Sequence, residues 1–217
     1  MLRTRHALLL AAFAATLSYA APSQAQTVID RWSSVRAPTA PTLKSVTLDP
    51  KTTALLVMDL VKQTCNEKRP ACLASLPHIE KLVDAARAEG VLLIYTTVPP
   101  VPISDTLDEA GRKGDEPVVS AWVDKFTLVN KDTGLEKMLK DKGITTVIAV
   151  GTSANGAVLY TGSSASLRGF KVVIPVDDMS SAGENDYIAQ SVIYNFATAP
   201  IVSSKVTLTS TDMIKFQ

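Results

Sequence analysis

The stretch Thr145-Thr146-Val147-Ile148-Ala149-Val150, running into Gly151-Thr152-Ser153-Ala154-Asn155-Gly156-Ala157-Val158, decides the fold. Its first six residues are β-branched or apolar at nearly every position, with no polar alternation. That pattern predicts a strand buried on both faces, as in a parallel sheet covered by helices. The turn that follows leads into a segment rich in Ala, Gly and Ser, predicted as a closely packed helix from about Asn155 to Leu167.

Moving outward, the same alternation repeats. Thr53 to Leu60 (TALLVMDL) reads as a buried strand ending in Asp59, and Pro77 to Glu89 places Ile79, Leu82, Val83 and Ala86 on one helical face before Gly90. Val91 to Val98 reads as the second strand. Pro99 to Pro117 is a Pro- and Gly-containing loop of the length expected for a lid or a binding edge. A third strand is expected near Val118 to Val123, and a short helix at Leu135 to Lys142 stopped by Gly143. Beyond residue 167 come a strand at Val172 to Val176, a helix from about Glu184 to Thr198 and a last strand at Val206 to Thr209. Strands separated by helices predict a three-layer α/β/α sandwich around a mainly parallel sheet of five or six strands. Ligands of such sheets bind beyond the carboxyl ends of the strands, where Asp59, the turn Gly151 to Ala157, and Asp177-Asp178 all fall.

The turn carries two readings. Backbone amides around Ser153, Gly156 and Ala157, backed by the positive end of a helix, can stabilise an oxyanion. Equally, Ser153 or Asn155 can serve only as a helix N-cap. A phosphate-binding loop requires Lys-Ser/Thr after its second glycine, where this chain has Ala157-Val158. Ser153 stands in G-x-S-x-x-G and not in the G-x-S-x-G nucleophile elbow.

The termini and composition set the compartment and exclude other classes. Arg3, Arg5 and His6, the apolar run Ala7 to Leu17, and Ser23-Gln24-Ala25 have the layout of a cleavable signal peptide covering residues 1–25, and the run is too short to span a bilayer. Export to the periplasm or medium is the expectation, with no membrane association after cleavage. Cleavage takes two of the 22 basic residues and none of the 21 acids, leaving 20 against 21 and a formal charge of −1, which offers nothing to nucleic acid. Residues 26–48, with Pro38 and Pro41, read as an extended arm, and residues 49–217 as one domain. The two cysteines, Cys65 and Cys72, are expected to form a disulfide in an oxidising compartment, across a polar, loop-like ring. Once His6 is removed, His78 is the one remaining histidine. A three-histidine zinc site is therefore excluded, and His78 is expected on a helix surface at the helix start.

Taken together, Leu55-Leu56-Val57-Met58-Asp59, Gly143 to Val147, the turn Gly151 to Val158, Thr161, Arg168-Gly169-Phe170 and Val176-Asp177-Asp178 resemble, in order, the isochorismatase-like cysteine hydrolases. The resemblance covers nearly all of residues 50–212. It implies the same sandwich fold, no cofactor, a small-molecule substrate and a tendency to homo-oligomers. It also implies hydrolysis at an amide, vinyl-ether or related bond by an Asp, a Lys and an attacking Cys. Asp59 matches the aspartate. Counting back from Thr133-Gly134-Leu135 assigns the lysine to Lys125, although the Phe of that motif is missing. Lys125 is thus either the family's charge or a solvated surface lysine. The nucleophile register falls on Ala157, whose methyl group cannot attack. Two functions follow from that substitution: hydrolysis by altered, non-covalent chemistry, or small-molecule binding without catalysis.

Overall fold

The computed structural model describes residues 26–181 and 186–217. The expected signal segment 1–25 lies outside the described residues, as does Glu184 at the expected start of the last helix. The chain forms two units that divide after Ala37. In the first, Thr27 donates from both its amide and its hydroxyl to Asp30 Oδ2 at 2.8 Å, just before a 3-10 turn at Trp32–Ser34.

The second unit is built on strands β1 (Val46–Leu48), β2 (Thr53–Met58), β3 (Leu92–Thr97), β4 (Val118–Ser120), β5 (Thr127–Leu128), β6 (Lys131–Asp132), β7 (Thr146–Thr152), β8 (Lys171–Pro175), β9 (Met179–Ser180), β10 (Val206–Thr209) and β11 (Ile214–Phe216). Its helices are α1 (Pro70–Ala88), α2 (Leu135–Asp141), α3 (Leu159–Leu167) and α4 (Asp186–Thr198). The main sheet runs β10-β8-β7-β2-β3-β4, all parallel, with the two-residue β9 added beside the end of β7. The six-strand path matches the upper end of the expected number.

Side-chain alternation along each strand sorts the core into two layers. On one face Leu55, Val57, Leu93, Tyr95, Ile148 and Val150 pack against Leu76, Ile79, Leu82, Val83 and Ala86 of α1. On the other Leu56, Met58, Ile94, Val147 and Ala149 join Leu139 of α2, Ala165 of α3, and Val192 and Phe196 of α4. A sheet with helices on both faces is the architecture expected from strands with no polar side.

Four local expectations change. The first concerns α1, which opens at Pro70 and not at Pro77; a proline at the first helical position loses no helix hydrogen bond, and Pro77 is carried inside the helix. His78 is therefore mid-helix, with its side chain about half exposed. Second, Cys72 lies in the first turn of α1 and not in a loop. Its disulfide to Cys65, with a Cα–Cα distance of 5.4 Å, ties that helix to the segment leaving Asp59. Third, residues 46–48 of the expected arm pair in parallel with 214–216.

Fourth, the 99–117 segment is fastened down and does not read as a free lid. Leu107 N donates to Leu60 O at 2.9 Å, Tyr95 Oη to Ala110 O at 2.8 Å, and Arg87 Nη2 to Gly111 O at 2.7 Å and Glu116 Oε1 at 2.9 Å. These bonds hold the segment to the turn after β2, to β3 and to α1.

Because both cysteines of the sequence are joined and buried, unreduced protein unfolded in denaturant should show no free thiol to a titrating reagent. Two titratable thiols would contradict the pairing.

Candidate active site

Asp59 follows directly on β2, and its backbone is left-handed at φ 56°, a conformation aspartate tolerates better than most residues. The turn is held by Asp59 N donating to Thr96 O at 3.3 Å and by the Asp59 carbonyl, which accepts from Val61 N and from the Thr64 hydroxyl. Next to it, β7 and β2 run so close that a side chain at Gly151 would meet Met58 O at 2.1 Å. Glycine is required there, and it brings the ends of the two strands together under the 153–158 turn.

The Asp59 carboxylate is almost completely buried and receives two donors, Thr96 Oγ1 at 2.6 Å on Oδ1 and Lys125 Nζ at 2.7 Å on Oδ2. Lys125 is fully buried, so the surface-lysine reading does not hold. Its ammonium gives its remaining protons to Ala121 O at 2.8 Å and Trp122 O at 2.7 Å. With three acceptors for three protons, the group is held as a cation. Burial pushes the Asp59 carboxyl above the ordinary aspartate range, against the pull of the Lys125 charge and the two hydrogen bonds. Burial likewise pushes Lys125 below the ordinary lysine range, against the charge of Asp59. A carboxylate so raised is a stronger base than an exposed one.

The same segment is sewn to the turn's helix. Lys125 N donates to Thr161 Oγ1 at 3.1 Å, and the Thr161 hydroxyl donates to Val123 O at 3.3 Å. Thr161 stands in the first turn of α3, four residues after Ala157. Val123 also sits beside Gly156, its Cγ1 3.9 Å from where a Cβ at that glycine would lie. The sequence-derived residues Asp59 and Lys125 are thus in direct contact, and Thr161 connects them to the Ala157 turn.

The helix does not start regularly. Ala154–Val158 form one wide π-type turn, with Gly156 at φ −117°, ψ −106°, before regular α3 begins. Ser153 makes no side-chain cap, contrary to the capping reading. Gly156, expected among the oxyanion donors, turns its amide back onto Ser153 O at 3.0 Å. The amide and hydroxyl of Ser153 itself have no hydrogen-bond partner among the described residues, and they stand at the start of this helix. Ala157 is buried within this turn.

The other acids at strand ends form no hydrogen bond or ion pair with Asp59 or Lys125 among the described residues. Asp177 accepts from Thr211 N at 3.0 Å and lies 3.6 Å from His78 Nδ1. Asp178 accepts from Thr211 Oγ1 at 2.9 Å. Among the described residues no three His, Cys, Asp or Glu side chains converge as metal ligands. Sequence reading missed Thr96, the carbonyls of Ala121 and Trp122, and the role of Thr161. The available signal was Thr96-Thr97 closing an otherwise apolar strand.

No curated protein matches the chain significantly. Among solved structures, an isochorismatase from Pseudomonas putida is 18% identical, with TM-score 0.65, over 88% of this chain and 100% of its own. A cysteine hydrolase from Pseudomonas syringae pv. phaseolicola is 19% identical, TM-score 0.65, over 79% and 94%. The N-carbamoylsarcosine amidase of Thermoplasma acidophilum is 18% identical, TM-score 0.58, over 74% and 97%. At such identities these likenesses establish the fold. The family model for the isochorismatase domain matches residues 53–205, well over half of the sequence, and this chain belongs to the isochorismatase family of hydrolases.

Proposed function

We propose that the protein is an exported hydrolase that uses water in place of a thiol to cleave a small carbonyl, amide or enol-ether compound. The observation that carries this reading is the buried Asp59–Lys125 pair, joined through Thr161 to a helix-opening turn whose nucleophile position is Ala157. Amides are included because one structural neighbour is an amidase. No thiol elsewhere can substitute, since Cys65 and Cys72 are bonded to each other. Each Asp59 oxygen accepts one donor and keeps a lone pair, so the carboxylate can take a proton from water. Lys125, with every proton engaged, positions Asp59 and balances its charge. The Ser153 amide, without a partner among the described residues, supplies the oxyanion site together with that of Ala157, a contribution of about 3 kcal/mol in enzymes that use one.

A second reading, binding without turnover, is favoured by the methyl group at Ala157 itself. The two separate in one screen of small amides and enol ethers. Wild-type turnover is expected to survive iodoacetamide and to fall roughly 10²-fold or more in Asp59→Asn. It should also disappear as pH falls through the raised Asp59 pKa, where the base becomes protonated, and as pH rises through the lowered Lys125 pKa, where the cation is lost. Turnover seen in Ala157→Cys alone would establish the binding reading. Wild-type turnover abolished by iodoacetamide would defeat both.

Export rests on residues 1–25. Intact-mass measurement of protein recovered from a periplasmic extract should give a chain beginning at Gln26, and a retained N-terminus would contradict export.

A further inference from the structure

The left-handed backbone of Asp59, at φ 56°, is one that a residue with a side chain keeps only where its surroundings impose it. On the amino side, β2 and the 3.3 Å bond from Asp59 N to Thr96 O impose it. On the carboxyl side the conformation depends on Thr64, whose hydroxyl donates to the Asp59 carbonyl and accepts from Val61 N at 3.4 Å. Val61 N also donates to the Asp59 carbonyl, and the Val61 carbonyl accepts from Thr64 N and Cys65 N, all at 2.9 Å. Asp59 to Cys65 thereby close into one hydrogen-bonded turn.

That turn is fastened to the core through Cys65. From residue 62 to residue 71 it is the one buried side chain, while Lys62, Gln63, Glu67 and Lys68 are exposed. Its disulfide leads to Cys72 in the first turn of α1, and both cysteines pack in the core layer that also holds Val57 and Leu60 on either side of Asp59. The segment's other ties, Lys62 N to Asp105 O at 3.0 Å and the exposed Gln63 Nε2 to Asp105 Oδ2 at 2.5 Å, reach the 99–117 segment and not this core layer. We infer that the Cys65–Cys72 disulfide and the Thr64 hydroxyl form a positioning device, which holds the Asp59 backbone in the conformation that keeps its carboxylate on Lys125 Nζ, 2.7 Å away. Released from it, Asp59 relaxes toward the ordinary backbone regions and its carboxylate turns away, leaving the ammonium two of its three acceptors. A ring closed for stability alone would constrain the unfolded chain without acting on one carboxylate. The inference rests on Asp59 as the working carboxylate of the proposed hydrolase, and its test reads Asp59 itself.

The measurement is the pH titration of the Asp59 carboxyl by 13C NMR, in the wild-type protein, Cys65→Ser/Cys72→Ser, Thr64→Val and Thr64→Ser. Lys125 is the charged group facing Asp59, and Asp124 acts on Lys125 in turn. Burial holds the wild-type titration above the ordinary aspartate range. Release into water removes that cause, so the titration should fall toward the ordinary range in the double-serine variant and in Thr64→Val. Thr64→Ser, which keeps the hydroxyl, should titrate as wild type. In the first two variants any turnover should drop roughly 10²-fold in kcat, the scale of a misplaced reacting group. The titration needs no substrate, so it answers even if the wild-type protein turns nothing over. Should the double variant fail to fold, the two Thr64 variants decide. A lowered melting midpoint with Asp59 still titrating as in wild type, in either the double variant or Thr64→Val, would reveal a merely structural staple and overturn the inference.

Discussion

The structure is organised around one expensive contact, a carboxylate and an ammonium held together out of water. Asp59 and Lys125 lie 66 residues apart, and the ion pair is 2.7 Å long with both side chains almost fully buried. Moving two such charges from water costs several kcal/mol per ion, recovered only when each remaining hydrogen-bonding position is filled. The surrounding architecture fills those of the ammonium and gives each carboxylate oxygen one donor. The Thr96 hydroxyl meets the second carboxylate oxygen, and the chain curls so that the Ala121 and Trp122 carbonyls face the ammonium. Thr161 takes the Lys125 amide, while Thr133 Oγ1 donates to its carbonyl at 2.7 Å. Four segments distant in sequence are thereby fixed relative to one another.

That dependence explains what was legible in the sequence. Apolar runs such as TALLVM and TVIAV announce their strands because a doubly covered sheet demands apolar residues on both faces. Asp59 was readable for the same reason, as an acid ending such a run. Lys125 was not. Nothing in Ala121-Trp122-Val123-Asp124-Lys125 separates a lysine that is buried from one that is solvated, because its burial is created by backbone carbonyls from its own turn and by an acid far away. Short elements were also lost: β1 and β11 are three residues each and become strands only by pairing with one another. Pro77 suggested a helix start, yet Pro70 fills that role and Pro77 is tolerated inside α1.

The substitution at Ala157 acquires its meaning from the rest of the chain. The proposal that water replaces a thiol at Ala157 depends on no other thiol being able to approach. Here the disulfide consumes both cysteines and uses them to anchor the start of α1 beside the segment that leaves Asp59. The proposal draws on three polar features: a carboxyl whose pKa burial raises, a cation beside it, and a Ser153 amide and hydroxyl without a hydrogen-bond partner among the described residues. Such a set suits a reaction or ligand that develops negative charge on oxygen but requires no covalent intermediate.

The claim on which this account rests is that Asp59 and Lys125 act as one coupled unit. A double-mutant cycle by urea unfolding, with Asp59→Asn, Lys125→Met and the double variant, measures that coupling directly. Lys125→Met alone should cost about 3–5 kcal/mol, because it strands a buried carboxylate, and the double variant should cost clearly less than the sum of the two single changes. A Lys125→Met cost within about 0.5 kcal/mol of zero, the range typical of a surface site, or strict additivity across the cycle, would contradict the account.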